Sequence, residues 1–208
     1  MSREKIYQDD LGYTLLKPIV DWNLKHSYRK VEVHGKENIP QDSAVVFIAN
    51  HQGYLDIPVL LGYSNKQMGF IAKAEILKVP ILSGWMKLMQ CVFLKRNSPK
   101  QSIEAMAKGV ETVKQGYSLV IFPEGHRSKG GPVQKFKPGS FKLAFRSEAP
   151  IVPVTIDGTW HLFEEKGKPN AGDIKVTFHP AIPTKGLTRE EQSEIPSKVQ
   201  KIVESALS

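Results

Sequence analysis

Apolar residues gather in seven short runs along the chain, and Gly, Pro, Asn or charged residues bound each run. Runs rich in Val, Ile and Phe with such boundaries predict β-strands. The predicted strands are Val31–His34, Ala44–Ala49, Met68–Ala72, Cys91–Leu94, Leu119–Phe122, Ile151–Ile156 and Ile174–Phe178. The pattern therefore predicts a sheet of about seven strands.

Segments between several of these runs carry helix signals. Ser98 and Pro99, a cap followed by proline at the first helical position, precede apolar residues at helical spacing. Thr188 and Glu191 have the spacing of a capping box and open another helix near the end of the sequence. Strands that alternate with helices predict an α/β fold. We expect one domain over residues 31–208, with a central mixed, partly parallel sheet flanked by helices.

Residues 1–30 are predicted to form an amphipathic helical segment. A helical wheel places Leu11, Leu15, Ile19 and Trp22 on one side, with charged residues opposite. Two interpretations remain open. The helix either packs against the domain or lies at a membrane surface as an anchor, with its apolar side in lipid.

The segment Ile76–Arg96 allows a similar pair of interpretations, because it is apolar with lysines spaced through it. A core helix leading into a strand explains most of the pattern. Exposed Trp85 and Met86 beside lysines would instead indicate a surface that meets lipid or an acyl chain.

The composition narrows the class of partner and the compartment. The 208 residues carry a formal net charge of +8, which favours polyanionic partners such as anionic lipid, phosphorylated substrates or nucleic acid. A single cysteine, Cys91, excludes a disulfide framework and a zinc cluster of thiolates. No uncharged apolar run approaches the roughly 18–20 residues of a spanning helix, and the first ten residues lack a signal-peptide core. We therefore expect an intracellular protein that can still lie on a membrane.

Two polar stretches follow apolar runs and carry the candidate chemistry. In the first, Ala44–Ala49 is followed by "NHQGYLD", with His51 in a turn and Asp56 in the first turn of a helix that begins near Tyr54. A carboxylate bonded to one imidazole nitrogen fixes the tautomer and leaves the other nitrogen as a base. A structural histidine remains the alternative for this spacing taken alone.

The sequence contains no nucleophile to accompany this pair, since there is no G-x-S-x-G motif. A base without its own nucleophile suits a reaction in which the substrate supplies one, such as an alcohol attacking an activated acyl group. No H-E-x-x-H motif or cysteine pair indicates zinc, so we expect no metal.

The second stretch, "FPEGHRS", follows Leu119–Phe122 and supplies an anion-binding candidate. Glu124, Gly125 and Arg127 emerge where that strand ends. Glycine permits close backbone approach to a phosphate, and arginine can hold a phosphate through two hydrogen bonds. Further cations end other predicted strands, Lys73 after "GFIA" and Arg96 in "FLKR".

The ordered set of these motifs resembles the glycerolipid acyltransferase family, and within it the 1-acylglycerol-3-phosphate acyltransferases. The motifs are "NHQGYLD", "VFLKR", "FPEGHRS" and "IVPVTIDGT", in the family's order, and the resemblance spans about residues 31–183. His126 stands where the family's third motif commonly has threonine, and members often have a longer apolar amino-terminal region.

The resemblance implies a role for each motif. His51 would be the general base with Asp56 as its partner, activating the free hydroxyl of a lysophospholipid toward an acyl thioester. The residues implied to bind the substrate phosphate are Arg96, Glu124, Gly125, Arg127 and, near it, Lys73. Those implied to shape the acyl-donor side are Val152, Pro153 and Val154.

The resemblance also implies the reaction and its participants. An acyl chain would pass from acyl-CoA or acyl carrier protein to 1-acylglycerol 3-phosphate, giving phosphatidate, with no metal or prosthetic group. We expect the enzyme on the cytoplasmic side of the cell membrane, against an anionic lipid surface, with no nucleic acid as partner.

Other functions remain open from the sequence. The same chemistry could act on glycerol 3-phosphate or another lysolipid, and a thioesterase would use water as acceptor. A basic protein without catalysis could bind nucleic acid or anionic lipid, although its aromatic residues do not alternate with basic ones as on a base-stacking surface.

Overall fold

The computed structural model describes residues 28–95 and 98–207, which form an α/β fold around one sheet. The described strands are β1 Tyr28–His34, β2 Val46–Ala49, β3 Met68–Lys73, β4 Val92–Leu94, β5 Ser118–Ile121, β6 Ile151–Asp157 and β7 Gly172–Phe178. All seven predicted strands are confirmed, with ends that coincide or differ by up to three residues.

The sheet order is β1-β7-β6-β2-β5-β3-β4. Five neighbouring strands, from β6 to β4, run parallel, and β7 pairs antiparallel with β6. β1 is parallel to β7, so these two strands run opposite to the other five. The predicted mixed, partly parallel sheet is confirmed. The carboxyl ends of β2, β3, β4, β5 and β6 consequently meet at one edge, which we call the catalytic edge.

Helices cover both faces of the sheet. The described α-helices are α1 Asp56–Tyr63, α2 Pro80–Leu88, α3 Pro99–Lys114, α4 Lys142–Ser147 and α5 Arg189–Glu204. Side chains alternate between faces along a strand, so Phe47 of β2 packs with α1 and α2 whereas Val46 and Ile48 pack with α3, α4 and α5. The three central strands β6, β2 and β5 are thus shielded from water on both sides.

Local sequence signals fix several helix ends as predicted. Ser98 caps α3 by accepting from the Gln101 N–H, and proline occupies the first helical position. The capping box of α5 is present, with Thr188 and Glu191 each bonding the backbone N–H of the other. These bonds satisfy amide donors that the first turn of a helix otherwise leaves open.

The two segments with alternative interpretations have different outcomes. Residues 1–27, which hold almost all of the predicted amphipathic helix, lie outside the described residues, so that prediction and the boundary at residue 30 stay untested. The segment after β3 forms a short 3-10 helix, Ala74–Lys78, followed by α2. A membrane-spanning helix is not found in the described part of the chain.

For Met86, the structure supports the interpretation of a core helix over the alternative of an exposed surface. Met86 is buried in the core between α2 and the sheet, and Trp85 is half-buried. Helical geometry turns Met86 inward because it lies near the face of α2 that also buries Ser83.

The chain that leaves α2 passes very close to Gly69 of β3. A Cβ at Gly69 would lie 2.6 Å from the Met89 carbonyl oxygen and 2.9 Å from that of Gln90, both backbone atoms that cannot turn away. We expect Gly69→Ala to lower the free energy of unfolding by about 1–3 kcal/mol through overpacking. Thermal and urea unfolding measure the change.

Gly84→Ala is the matched control, because a Cβ there meets nothing within 4 Å and alanine favours the helix. We expect that variant to be stabilised by up to about 1 kcal/mol. Equal unfolding midpoints for the two variants would contradict the close approach at Gly69.

Candidate active site

The catalytic edge brings the two polar motifs into contact. The loop after β2 carries His51, and the loop after its neighbour β5 carries Glu124 to Ser128. The Ser128 N–H donates to the His51 carbonyl at 2.8 Å, and the Lys129 N–H donates to the Gln52 carbonyl at 3.1 Å. The first and third motifs therefore form one site, because their strands are adjacent and parallel.

His51 and Asp56 form the predicted pair. The distance from His51 Nδ1 to Asp56 Oδ2 is 2.6 Å, and the carboxylate is fully buried. The imidazole stacks on the Phe122 ring at 4.1 Å between centroids, and its side chain remains 18% exposed. Since Asp56 Oδ2 acts as an acceptor, the proton lies on Nδ1 and Nε2 is the basic nitrogen. Nε2 has no hydrogen-bond partner among the described residues.

Asp56 holds the loop as well as the imidazole. Its Oδ2 also accepts from the backbone N–H groups of Gln52, at 2.8 Å, and Gly53, at 3.0 Å. Its Oδ1 accepts from the hydroxyl of Thr159, a fully buried residue that follows β6. Four donors thus satisfy a buried charge, which otherwise costs several kcal/mol to desolvate. Sequence reasoning did not identify Thr159, because its role depends on the strand order.

The Asn50 side chain links the same loop to β6 through two hydrogen bonds to the backbone, as a residue of a paired strand would. Its amide Nδ2 donates to the Ile156 carbonyl and its Oδ1 accepts from the Ile156 N–H, both at 2.8 Å. Asn50 is buried. The side chain therefore extends the ladder between β2 and β6 beyond the last residue of β2 and fixes where His51 begins.

Glu124 is buried beneath the loop. Its Oε1 accepts from the His51 N–H at 2.6 Å, and its Oε2 accepts from the Gln134 N–H at 2.8 Å. Burial raises the pKa of the Glu124 carboxyl, while the hydrogen bonds from the Gln134 and His51 backbone oppose that rise. Both oxygens are occupied by backbone amides, so Glu124 braces the His51 loop. Phosphate binding by Glu124 stays a prediction that this geometry does not support.

Arg127 reaches the space beside the His51 loop. Its guanidinium carbon lies 3.5 Å from the Tyr54 ring centroid, and its Nη1 donates to Glu164 Oε1 at 2.9 Å. The Arg127 side chain is 24% exposed. Gly125 has φ of 82°, and its N–H donates to the Phe122 carbonyl at 3.1 Å. Gly125 therefore shapes the turn that presents Arg127, and its N–H is not directed to a phosphate.

The other predicted phosphate ligands are less well placed. Lys73, the last residue of β3, is exposed, and its side chain makes no hydrogen bond or ion pair within residues 28–95 and 98–207. β5 separates β3 from β2, so Lys73 and His51 do not lie on adjacent strands. Arg96 falls outside the described residues. The roles of Lys73 and Arg96 stay predictions.

Val152, Pro153 and Val154 do not line a surface. They lie within β6, where Val152 and Val154 are fully buried among core side chains. Their side chains belong to the core on one face of the sheet. Their role on the acyl-donor side stays a prediction. These residues lie in the strand that leads to Thr159.

A cavity of about 790 Å³ opens beside the site. Its lining includes Gln52 and Ser128 from the two motif loops, together with Trp160 and both apolar and charged residues. Among the described residues, no group of three or more His, Cys, Asp or Glu side chains is placed to hold a metal ion. The expectation that catalysis needs no metal stays a prediction.

Comparisons with known proteins agree with this geometry. Residues 30–157 match the sequence profile of the Acyltransferase family. A solved structure, the 1-acyl-sn-glycerophosphate (LPA) acyltransferase PlsC from Thermotoga maritima, superposes with a TM-score of 0.78 and 30% sequence identity. That superposition covers 98% of this chain and 78% of the other.

Two curated relatives carry the same activity in their names. The chloroplastic 1-acyl-sn-glycerol-3-phosphate acyltransferase BAT2 of Brassica napus is 36% identical over 160 residues, covering 76% of this chain and 46% of the relative. The 1-acyl-sn-glycerol-3-phosphate acyltransferase of Borreliella burgdorferi is 28% identical over 191 residues, covering 91% and 76%. The chain spans less than half of the plant protein's length. Because the family profile covers more than half of this sequence and contains both polar motifs, the chain belongs to the Acyltransferase family.

Proposed function

We propose that the protein is a 1-acylglycerol-3-phosphate acyltransferase that converts lysophosphatidate to phosphatidate. One observation carries the proposal: the His51–Asp56 pair leaves a basic nitrogen with no partner in the described part of the chain, at the edge that also carries Arg127. A base for a hydroxyl and a cation for a phosphate are the two groups that this acceptor requires. The names of the relatives support the same substrate class.

The reaction follows from the geometry of the pair. His51 Nε2 takes the proton of the acceptor hydroxyl while that oxygen attacks the thioester carbonyl carbon. The tetrahedral intermediate then collapses, the carbon–sulfur bond breaks, and the proton on Nε2 passes to the thiolate. Asp56 holds the ring in place and stabilises the imidazolium that forms between these steps.

The acceptor phosphate and the acyl donor complete the proposal. Arg127 binds the phosphate, with Arg96 and Lys73 as further candidates from the sequence. Acyl-CoA or acyl carrier protein supplies the acyl group, and no metal or prosthetic group takes part. Because these thioesters are cytoplasmic, the proposed place of action is the cytoplasmic side of a membrane.

The segment after β3 is the proposed lipid-facing surface of the described chain. Its large apolar side chains are exposed to water, with Ile81 at 78% and Val79 at 50%. Leu77, Leu82 and Leu88 are also exposed. Lys78 and Lys87 of the same segment are also exposed, as an anionic membrane surface would favour. Since the segment begins where β3 ends, its first residues lie at the catalytic edge, from which a lipid acceptor can reach His51.

An assay with purified protein tests the proposed reaction. We expect labelled acyl-CoA and lysophosphatidate to give phosphatidate, with kcat/KM about 100-fold above that for the matching monoacylglycerol. The difference reflects charge-assisted hydrogen bonds to the phosphate, each worth about 1.5–3 kcal/mol. Equal rates for the two acceptors would contradict the phosphate site, and fatty acid release without any acceptor would indicate a thioesterase.

Removing the base tests the mechanism. We expect His51→Ala to lower kcat about 1,000-fold, since a positioned general base contributes about 100- to 10,000-fold. His34→Ala, at an exposed histidine of β1, is the matched control and should retain full turnover. Thermal unfolding establishes that both variants are folded. Retention of a tenth or more of wild-type kcat by His51→Ala would refute the mechanism.

Apolar-to-polar changes on α2 test the lipid-facing surface. We expect the double variant Ile81→Gln, Leu82→Gln to bind vesicles containing phosphatidylglycerol about 100-fold more weakly, because each aliphatic side chain that is buried in lipid contributes about 1.5 kcal/mol or more. Ile103→Gln is the matched control, since Ile103 is 65% exposed on α3, which packs on the opposite face of the sheet. Vesicle sedimentation measures the affinities. An equal loss in the control, or none in the double variant, would exclude α2 from the contact.

A further inference from the structure

Glu164 lies outside all four sequence motifs but contacts the candidate phosphate ligand directly. It follows the 3-10 helix Thr159–Leu162, which begins after β6 at the catalytic edge. Its side chain is only 3% exposed, and its Oε1 accepts from Arg127 Nη1 at 2.9 Å. The negative charge of Glu164 offsets part of the positive charge that Arg127 would offer to a phosphate. The position of this carboxylate therefore calls for an explanation.

The carboxylate is itself held in place. Glu164 Oε1 also accepts from the Tyr54 N–H at 2.8 Å. Gly53 lets the acid come this close to the loop, because a Cβ at that position would lie 2.6 Å from Glu164 Oε2. Burial, a backbone hydrogen bond and a close fit against Gly53 therefore fix the carboxylate independently of Arg127.

The Tyr54 ring holds one face of the Arg127 guanidinium and the Glu164 carboxylate holds one edge of it. We call this arrangement the clamp. The Tyr54 ring lies under the guanidinium, and the edge of Phe163 packs against Tyr54 with 6.0 Å between the ring centroids. Glu164 adds the in-plane contact that sets the rotation of the guanidinium over the ring. A long arginine side chain loses much of its rotational freedom in such a clamp before any ligand arrives.

The clamp leaves donors free for a ligand. Glu164 contacts Arg127 through one oxygen only, since its Oε2 is buried and has no hydrogen-bond partner. Arg127 Nε and Nη2 have no partner among the described residues. A guanidinium held through one nitrogen can still bind a phosphate through its other donors. Phosphate binding therefore does not require Glu164 to leave.

We propose that Glu164 is a positioning residue that sets the affinity for the acceptor phosphate by fixing the Arg127 guanidinium over Tyr54. This inference rests on the proposed function, because it takes Arg127 to be the phosphate ligand. Glu164 acts through Arg127 and has no part in proton transfer. Its removal should weaken acceptor binding and leave the chemical step and the donor site largely unchanged.

Steady-state kinetics with varied lysophosphatidate test this role. We expect Glu164→Ala to raise the acceptor KM about 10-fold, the lower end of the effect of losing a charged hydrogen bond. We expect kcat and the acyl-CoA KM to stay within about 3-fold of wild type. Glu164→Gln keeps an acceptor oxygen for both Tyr54 and Arg127, so its acceptor KM should also stay within about 3-fold.

Two further variants keep the test independent of folding. Glu164→Asp retains the charge but withdraws the carboxylate by one methylene, so it should also raise the acceptor KM with kcat retained. Glu165→Ala is the matched control: this neighbouring acid is 36% exposed and pairs with His161 at 3.4 Å, away from Arg127. That control should behave as wild type.

A double-mutant cycle separates positioning from a merely structural role. In the Arg127→Ala background, Glu164→Ala should cause no further rise in acceptor KM, because the group that it positions is gone. An additional 10-fold rise there, or equal losses in kcat and donor KM, would overturn the proposal. The proposal would also be overturned if Glu164→Gln raised the acceptor KM as much as Glu164→Ala does. An acceptor KM that is unchanged in Arg127→Ala would overturn it as well. Absence of transfer to lysophosphatidate by the wild-type enzyme would instead refute the proposed function itself.

Discussion

The buried carboxylate of Asp56 is the interaction on which the candidate site depends. One of its oxygens accepts from His51 Nδ1 and from two backbone amides, and the other accepts from Thr159. A buried charge of this kind is stable only when its donors are all in place, so it requires one conformation of the loop. The same contacts that stabilise the charge therefore orient the imidazole, and loop structure and proposed catalysis cannot be separated.

Around Asp56, the site is built from loops that follow three neighbouring parallel strands. β2 brings His51, β5 brings Glu124 and Arg127, and β6 brings Thr159 and Glu164. Carboxylates recur in supporting positions, since Glu124 holds the His51 N–H and Glu164 holds the Tyr54 N–H. The protein carries a net positive charge, yet its buried carboxylates hold the backbone amides of the site in place. Arg127 remains partly exposed, where a phosphate can meet it.

Several features could be predicted without coordinates because they depend on near neighbours in the sequence. Strand positions follow from short apolar runs, and the start of α5 follows from Thr188 and Glu191. The pairing of His51 with Asp56 is also local, since a turn and the first turn of a helix bring together two residues that are five positions apart. Motif order identified the family, and the sequence profile and solved structure agree with it. Even so, the local pattern did not reveal that Met86 turns inward.

The sequence by itself determined the α/β class, the strands, the His51–Asp56 pair and the family. Only the tertiary structure decided which distant residues serve that pair, because those contacts depend on strand order and not on spacing along the chain. Thr159 meets Asp56 across 103 positions, and Glu164 meets Arg127 across 37. The tertiary structure also decided that Glu124 accepts hydrogen bonds from backbone amides and that Val152 and Val154 are buried in the core. Sequence motifs specify which chemical groups are present, whereas the packing of neighbouring strands decides which of those groups can touch a substrate.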